Sequence, residues 1–229
     1  DALLSRGLGD VYKRQAKKEV QPEWHEVDLK NLERMYNEAE RVDYPNPTSK
    51  IVIGDSHSIC MYRPGWTVNS VPFKTLNGAI NDGFDKFIPF DYEEIECYFG
   101  NIDIRHHVIR LGQKIEDLAD RYIEEANKYN AKIYELLPIE DVSRRIPQSG
   151  YYKGQPFYGS WSERNDARNK FNDYIEKEYG IKRWTGHLFN KEGKLDFKYM
   201  EKPQSIHLSR EFYPYWNGIE AAGLEEFFA

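Results

Sequence analysis

The chain has few cysteines and no long apolar run. Only two cysteines, Cys60 and Cys97, occur among its 229 residues, and neither belongs to a CxxC pair. This spacing excludes a zinc ribbon and a CxxC redox motif, and we expect both side chains to pack as small core residues. No apolar run approaches the roughly 20 residues that a membrane-spanning helix needs, so the sequence predicts no membrane partner.

Basic residues are not in excess, because 32 Lys and Arg face 38 Asp and Glu and the net charge is −6. A dedicated nucleic-acid binder usually has a basic face, so the composition argues against a nucleic-acid partner. Hydrophobic residues make up 40% of the chain and aromatic residues 15%, which is enough for one α/β domain with a short extension. The aromatic residues cluster within 151–161 and 212–216, which indicates either packing or a platform on which a sugar stacks.

The first residues are not typical of a natural N-terminus. Residues 10–15 read Asp-Val-Tyr-Lys-Arg-Gln, which a common sequencing adapter encodes, and the chain does not start with Met. We therefore expect residues 1–15 to be a non-native leader, residues 16–47 to form a helical arm and linker, and residues 48–229 to form the main domain. The sequence leaves the compartment and the oligomeric state open.

Strands and helices are expected to alternate along the main domain. The β-branched run at 50–53 predicts a buried strand of a parallel sheet, and residues 94–99 and 132–137 predict two more strands. A long helix is expected from 111 to 126, and the pair Ser160 and Glu163 forms a capping box that opens another. This alternation predicts parallel βαβ units in an α/β fold, a three-layer α/β/α sandwich with a mostly parallel sheet of about five strands.

Ser56 follows the first predicted strand within Gly54-Asp55-Ser56. Ligands of open α/β sheets gather at the carboxyl edge of the strands, which is where this serine is expected to lie. Gly54 permits a tight turn, and the backbone amide of Ser56 can then face a developing oxyanion. The alternative is an ordinary turn, since Gly, Asp and Ser are all turn residues.

Several segments, taken in order, resemble the SGNH/GDSL hydrolase family. That family opens with a Gly-Asp-Ser block, here at 54–56, and a later glycine corresponds by position to Gly78. Its third block corresponds to residues 100–103, and its last, histidine-containing block corresponds to residues 206–208, with His207 as the histidine. The resemblance covers roughly residues 48–217 and implies the flavodoxin-like sandwich expected above.

The resemblance implies two-step acyl transfer without a cofactor or a metal. Ser56 would be the nucleophile and His207 its base, although His207 also suits a structural role. Backbone amides of Ser56 and Gly78, helped by Asn101 or Asn77, would stabilise the oxyanion. Further side chains are expected at the pocket: Asp55, His57, Asn77, Arg105 and Tyr158. For Arg105 two interpretations stay open, a salt bridge to an acidic residue or an anion contact at the rim.

Two positions depart from the family pattern. Ile102 occupies the place of the oxyanion asparagine, and Gln204 stands three residues before His207, where the family has Asp. Loss of that orienting carboxylate costs about 10⁴ in turnover in a serine-protease triad. The candidates for the group that orients the histidine are therefore Asp103, Gln204 and Glu201.

Two other functions compete with the esterase. A metallophosphoesterase-like centre could use Asp55, His57, Asn101, Asp103 and His187, whose types suit a two-metal site. A catalytically weakened carbohydrate-binding or assembly module on the same fold is the other. The favoured reading is a hydrolase of an O-acyl ester, with a small molecule or an acetylated carbohydrate as its substrate.

Overall fold

The computed structural model describes residues 49–88, 91–140, 154, 158–201, 207–209 and 212–215. The chain divides into two compact units, Asp1–Asp43 with Ser143–Phe157 and Tyr44–Val142 with Tyr158–Ala229. Apart from Gly154, every described residue belongs to the second unit. The predicted leader and helical arm lie outside the described residues.

Four parallel strands form the sheet of the described region. They are β1 (Lys50–Asp55), β2 (Thr67–Val71), β3 (Glu94–Tyr98) and β4 (Lys132–Ile133). Their order is β2-β1-β3-β4, and every neighbouring pair is parallel. The α/β class and the parallel sheet are thereby confirmed, with four strands in the described region where about five were expected. An isolated parallel bridge between Tyr134 and Lys182 lies next to β4.

Helices flank this sheet. The α-helices are α1 (Leu76–Asp82), α2 (Val108–Leu111), α3 (Ile115–Asn127) and α4 (Trp161–Glu178). The chain also has 3-10 segments at Ser56–Met61, Phe84–Phe87, Gly186–Leu188 and Phe197–Tyr199, and a π-helical segment at Asp103–His107. None of the helices in the described ranges is long and apolar enough to cross a membrane.

One helix prediction is confirmed, and another is wrong in its bounds. The capping box of Ser160 and Glu163 is present and opens α4 as expected. The long helix expected from 111 is interrupted, because Gly112 adopts a left-handed φ of 59° and ends α2 before α3 begins. Glycine reaches this conformation without the steric cost that other residues meet, so it commonly ends helices.

The core lies on both sides of β1. Ile51, Val52 and Ile53 are all fully buried, as expected for a central strand of a parallel sheet with both faces covered. Cys60 and Cys97 are buried free thiols, which confirms their predicted packing role. Burial raises the pKa of both thiols well above the usual value, so neither is a reactive thiolate at neutral pH.

The strand order of the sheet reverses between β1 and β3. From β1 the chain crosses to β2 on one side, whereas β3 lies on the other side. Such a reversal of strand order is the topological switch point, outside which open α/β sheets bind their ligands. Ser56 directly follows β1, and Gly100 and Asn101 are the second and third residues after β3. The fold therefore brings the first and third sequence blocks to one edge.

Gly54 offers a test of this packing. A Cβ there would lie 2.4 Å from Ser58 Cβ and 2.5 Å from the carbonyl oxygen of Tyr98. We expect Gly54→Ala to lower the free energy of unfolding by about 1–3 kcal/mol, the usual cost of overpacking. Urea denaturation measures it, with Gly186→Ala as the control because nothing lies within 4 Å of a Cβ at that position. Equal losses in the two variants would contradict the described contact between β1 and β3.

Candidate active site

The two residues predicted to be catalytic lie in hydrogen-bond contact. Ser56 Oγ is 3.0 Å from His207 Nε2, although 151 positions separate them in the sequence. This distance is within the reach that a general base needs for the proton that it removes. Ser56 is the first residue of a 3-10 segment that begins where β1 ends, and it is 7% exposed. The arrangement can activate the serine hydroxyl as a nucleophile.

The stretch that carries His207 is hydrogen-bonded to residues 199–201 through the backbone. The amide of Glu201 donates to the carbonyl of His207 at 3.0 Å, and the amide of Ser209 donates to the carbonyl of Tyr199 at 2.8 Å. Glu201 is one of the three candidates for the group that orients His207, and it contacts His207 through this backbone hydrogen bond. Gln204 lies outside the described residues.

A cluster of side chains around Arg63 joins the segment that carries Ser56 to the stretch that carries His207. The sequence analysis did not predict it. The guanidinium carbon of Arg63 lies 3.6 Å from the ring centroid of Trp66 and 4.3 Å from that of Tyr215. Arg63 also pairs with the buried carboxylate of Glu96 and donates to Tyr134 Oη at 2.8 Å. Arg63 follows the serine-bearing 3-10 segment and Tyr215 follows the histidine, so the cluster holds both segments against the sheet.

A buried carboxylate lies beside the pair. Asp55 Oδ1 accepts from the amide of His57 at 2.9 Å and faces His57 Nδ1 at 3.0 Å, while Oδ2 accepts from the amide of Asn101 at 3.2 Å. Burial raises the pKa of Asp55 to about 6, although the hydrogen bond from His57 and the charge of Arg105 oppose it. The ring centroid of His57 lies 4.8 Å from that of His207. Asp55 and His57, two predicted pocket residues, therefore do adjoin the site.

Asp103 and Gly78 have roles at the start of α1 instead. Asp103 Oδ2 accepts from the amide of Leu76 at 2.6 Å, and its Oδ1 accepts from the amide of Asn77 at 3.2 Å. The amide of Gly78 donates to Thr75 Oγ1 at 3.0 Å, which caps the same helix. The hydrogen bonds of Asp103 thus go to α1 rather than to the histidine. The Gly78 amide, predicted for the oxyanion, already has an acceptor.

Arg105 is part of a buried structural network. Its Nε lies 2.9 Å from Glu140 Oε2, and its Nη2 donates to the carbonyl of Pro138 at 2.9 Å. The sequence left two interpretations of Arg105 open, a salt bridge or an anion contact at the rim. These contacts are those of the salt bridge. Burial lowers the pKa of Arg105 to about 10, so the side chain stays charged at neutral pH. Arg105 Nη1 and the amide of Leu137 both donate to Asn101 Oδ1, at 3.0 and 3.3 Å, and this fixes the asparagine side chain.

Two further predicted pocket residues have other contacts. Asn77 Oδ1 accepts from Arg121 Nη1 at 2.7 Å and from Gln113 Nε2 at 3.3 Å, so Asn77 links α1 to α3 and to the loop before it. Tyr158 is 55% exposed, and the guanidinium carbon of Arg110 lies 5.8 Å from its ring centroid. Neither residue has a described contact with the serine or the histidine.

The side chains proposed for a metal centre are not gathered together. Across the described ranges, no group of three or more His, Cys, Asp and Glu side chains has an arrangement that could hold a metal ion. Asp55 and His57 pair with each other, while Asp103 caps α1. The ring of His187 packs against Tyr199 with centroids 6.2 Å apart. No observation therefore favours the two-metal reading.

The capping role of Asp103 can be tested by stability. Asp103→Ala leaves the buried amide of Leu76 without its acceptor, and an unsatisfied buried donor costs about 1–3 kcal/mol. We expect a loss of unfolding free energy of that size in urea. Asp82→Ala, at the exposed end of the same helix, is the control, and we expect only a small change there. If both variants are equally stable, Asp103 does not cap α1.

Comparison with known proteins gives matches among solved structures. No protein-family model matches the chain, and no curated protein matches it. A GDSL-like lipase from Bacteroides thetaiotaomicron matches with a TM-score of 0.51 and 13% identity, over 86% of this chain and 98% of that chain. A protein from Bacteroides fragilis assigned as an acylhydrolase also has a TM-score of 0.51, with 13% identity over 82% and 94% of the two chains.

A third match is a protein from Streptococcus pneumoniae assigned as a platelet activating factor. Its TM-score is 0.51 and its identity 14%, over 85% of this chain and 93% of that chain. All three matches span most of both chains at low identity, so what they share with this protein is the arrangement of the backbone. The chain has the fold of the SGNH/GDSL-like hydrolases.

Proposed function

We propose that the protein is a serine-dependent ester hydrolase, with Ser56 as nucleophile and His207 as general base. The observation that carries the proposal is the contact of 3.0 Å between Ser56 Oγ and His207 Nε2. Its position at the switch point of the sheet supports a substrate site there. The shared fold with a GDSL-like lipase and an assigned acylhydrolase supports an acyl ester as the class of substrate.

The reaction proceeds in two steps. Ser56 Oγ attacks the ester carbonyl carbon while its proton passes to His207 Nε2, and a tetrahedral intermediate forms. As the ester C–O bond breaks, His207 returns the proton to the leaving alcohol, and the acyl group remains on Ser56. Water then attacks the acyl-enzyme by the same route and releases the acid. His207 must be neutral with Nε2 unprotonated at the start, so activity falls as the pH drops through the pKa of this histidine.

The donors that remain for the oxyanion are the backbone amide of Ser56 and the side-chain Nδ2 of Asn101, which has no hydrogen-bond acceptor among the described residues. The amide of Gly78 donates to Thr75, and the amide of Asn101 donates to Asp55. One well-placed donor is typically worth about 3 kcal/mol in the transition state, so the loss of the Gly78 amide is costly. We therefore expect a slow hydrolase, as the two departures from the family pattern already indicated.

A small acyl group is the favoured acyl part of the ester, and an acetylated carbohydrate the favoured substrate. Ser56 is only 7% exposed, so little of the nucleophile is open to solvent. Partly buried aromatic side chains pack against the core, among them Tyr213 and Tyr215 of the histidine-bearing stretch. Aromatic faces suit the apolar side of a sugar ring, and aromatic residues make up 15% of the chain.

The test is hydrolysis of p-nitrophenyl esters with acetyl, butyryl and octanoyl groups. We expect Ser56→Ala and His207→Ala each to lose at least about 10³-fold in kcat/KM on the acetyl ester, because nucleophile and base act as a unit. The acetyl ester should be the best of the three substrates.

Matched controls separate this activity from background hydrolysis by surface side chains. His187→Ala removes a histidine outside the site, and Ser209→Ala removes a serine from the histidine-bearing stretch. Both should hydrolyse the acetyl ester at the wild-type rate. Equal rates in all five proteins would remove the nucleophile assignment, and a preference for octanoate would remove the small-acyl assignment alone.

A further inference from the structure

The buried pair Asp55 and His57 adjoins the catalytic pair, and the mechanism above does not use it. Asp55 is 0% exposed and His57 is 2% exposed. Two contacts to Asp55 Oδ1, from the backbone amide and from Nδ1 of His57, fix the orientation of the imidazole. With Nδ1 as the donor, the ring is held as the tautomer that carries its proton on the Asp55 side.

The histidine of this buried pair contacts the proposed general base. The ring centroids of His57 and His207 lie 4.8 Å apart, and their planes are tilted by 44°. Burial raises the pKa of Asp55, and the charge of a protonated His207 opposes that rise. Such an interaction is reciprocal, so the Asp55 carboxylate favours the protonated form of His207 by the same energy.

We propose that Asp55, acting through the ring of His57, is the carboxylate that stabilises His207 in its protonated form during acyl transfer. Both are positioning residues, and the inference rests on the proposed Ser56–His207 hydrolysis. Asp55 then supplies the carboxylate that the SGNH/GDSL family has three residues before the histidine. This chain has Gln204 at that position. It also accounts for an acidic residue buried at the switch point when Asp103, the other acid there, caps α1.

Other charged and titratable groups also act on Asp55. They come from the serine-bearing 3-10 segment, β3, the π-helical segment, α3 and the histidine-bearing stretch: His57, Cys60, Tyr98, Asp103, Arg105, Tyr122 and His207. Arg105 is the permanent cation among them, and it pairs with Glu140, which also lies 4.0 Å from Arg164. Arg105 and His207 both act on the Asp55 carboxylate and lower its pKa against the effect of burial.

The pH dependence follows from the state of Asp55. Its pKa of about 6 leaves it mostly ionised at pH 7 and mostly protonated below pH 6. As the pH falls, Asp55 takes up a proton, its support of His207 is lost, and His207 itself becomes protonated. Both events remove activity on the acid side, so the acid limb of kcat/KM in the wild type should be steeper than that of a single proton.

The experiment is a histidine NMR titration of the full chain, in which the ring signals give the pKa of His207 without any turnover. In Asp55→Asn and in His57→Gln, we expect this pKa to fall by about one unit, a tenfold change in proton affinity. The acid limb of kcat/KM in Asp55→Asn should move to lower pH and become a single-proton limb, with the plateau rate about 10- to 100-fold lower. The controls Asp82→Asn and His187→Gln should leave the pKa of His207 unchanged.

A reciprocal measurement avoids substitution of the buried pair. In His207→Ala, the carboxyl carbon signal of Asp55 should report a higher pKa than in the wild type, because a neighbouring cation has been removed. An unchanged pKa of Asp55 in His207→Ala, or an unchanged pKa of His207 in folded Asp55→Asn, would overturn the inference. Shifted pKa values in a protein that fails the ester assay would support the coupling while removing the proposed hydrolysis.

Discussion

The hydrogen bond between Ser56 and His207 is the interaction on which the account of this protein depends. Its partners come from the end of the first strand and from a stretch near the C-terminus, 151 positions apart. The sheet fixes the serine, since β1 is buried on both faces and paired on both edges. The histidine is fixed by backbone hydrogen bonds to residues 199–201 and, further along, by the stacking of Tyr215 on Arg63.

The switch point is also crowded with buried charge, and each charge has partners there. Asp55 accepts from His57 and from the amide of Asn101, Asp103 accepts from the start of α1, and Arg105 pairs with Glu140. An unpaired charge in such surroundings would destabilise the fold by several kcal/mol, so these contacts are first a condition of stability. Chemistry is left to Ser56 and His207, and the contacts of Gly78 and Asn101 reduce the number of backbone amides free to bind an oxyanion.

The strongest elements could be predicted because their signals are local. The apolar run of β1 and the capping box of α4 each lie within a few residues. The strand β2 was missed because its residues, Thr67–Val71, are all half-buried and carry three polar side chains in five. The long helix was predicted across Gly112 because the apolar spacing continues, whereas a single left-handed residue ends it.

The sequence predicted which residues lie at the site better than it predicted what each of them does there. Gly-Asp-Ser and a late histidine mark the pair, but whether Gly78, Asp103 and Arg105 serve catalysis or structure depends on contacts with other segments. Asp103 meets α1 through backbone amides, which no spacing reveals. The stacking of Arg63 on Tyr215 likewise joins residues that have no pattern in common.

The most direct test of the central claim is covalent labelling with a fluorophosphonate, followed by mass spectrometry of the digested protein. Such a reagent reacts with a serine only where a base activates it in place. The account predicts a single modified peptide carrying the adduct on Ser56, with labelling strongly slowed in His207→Ala. An adduct on another residue, or labelling of Ser56 at the same rate without the histidine, would contradict it.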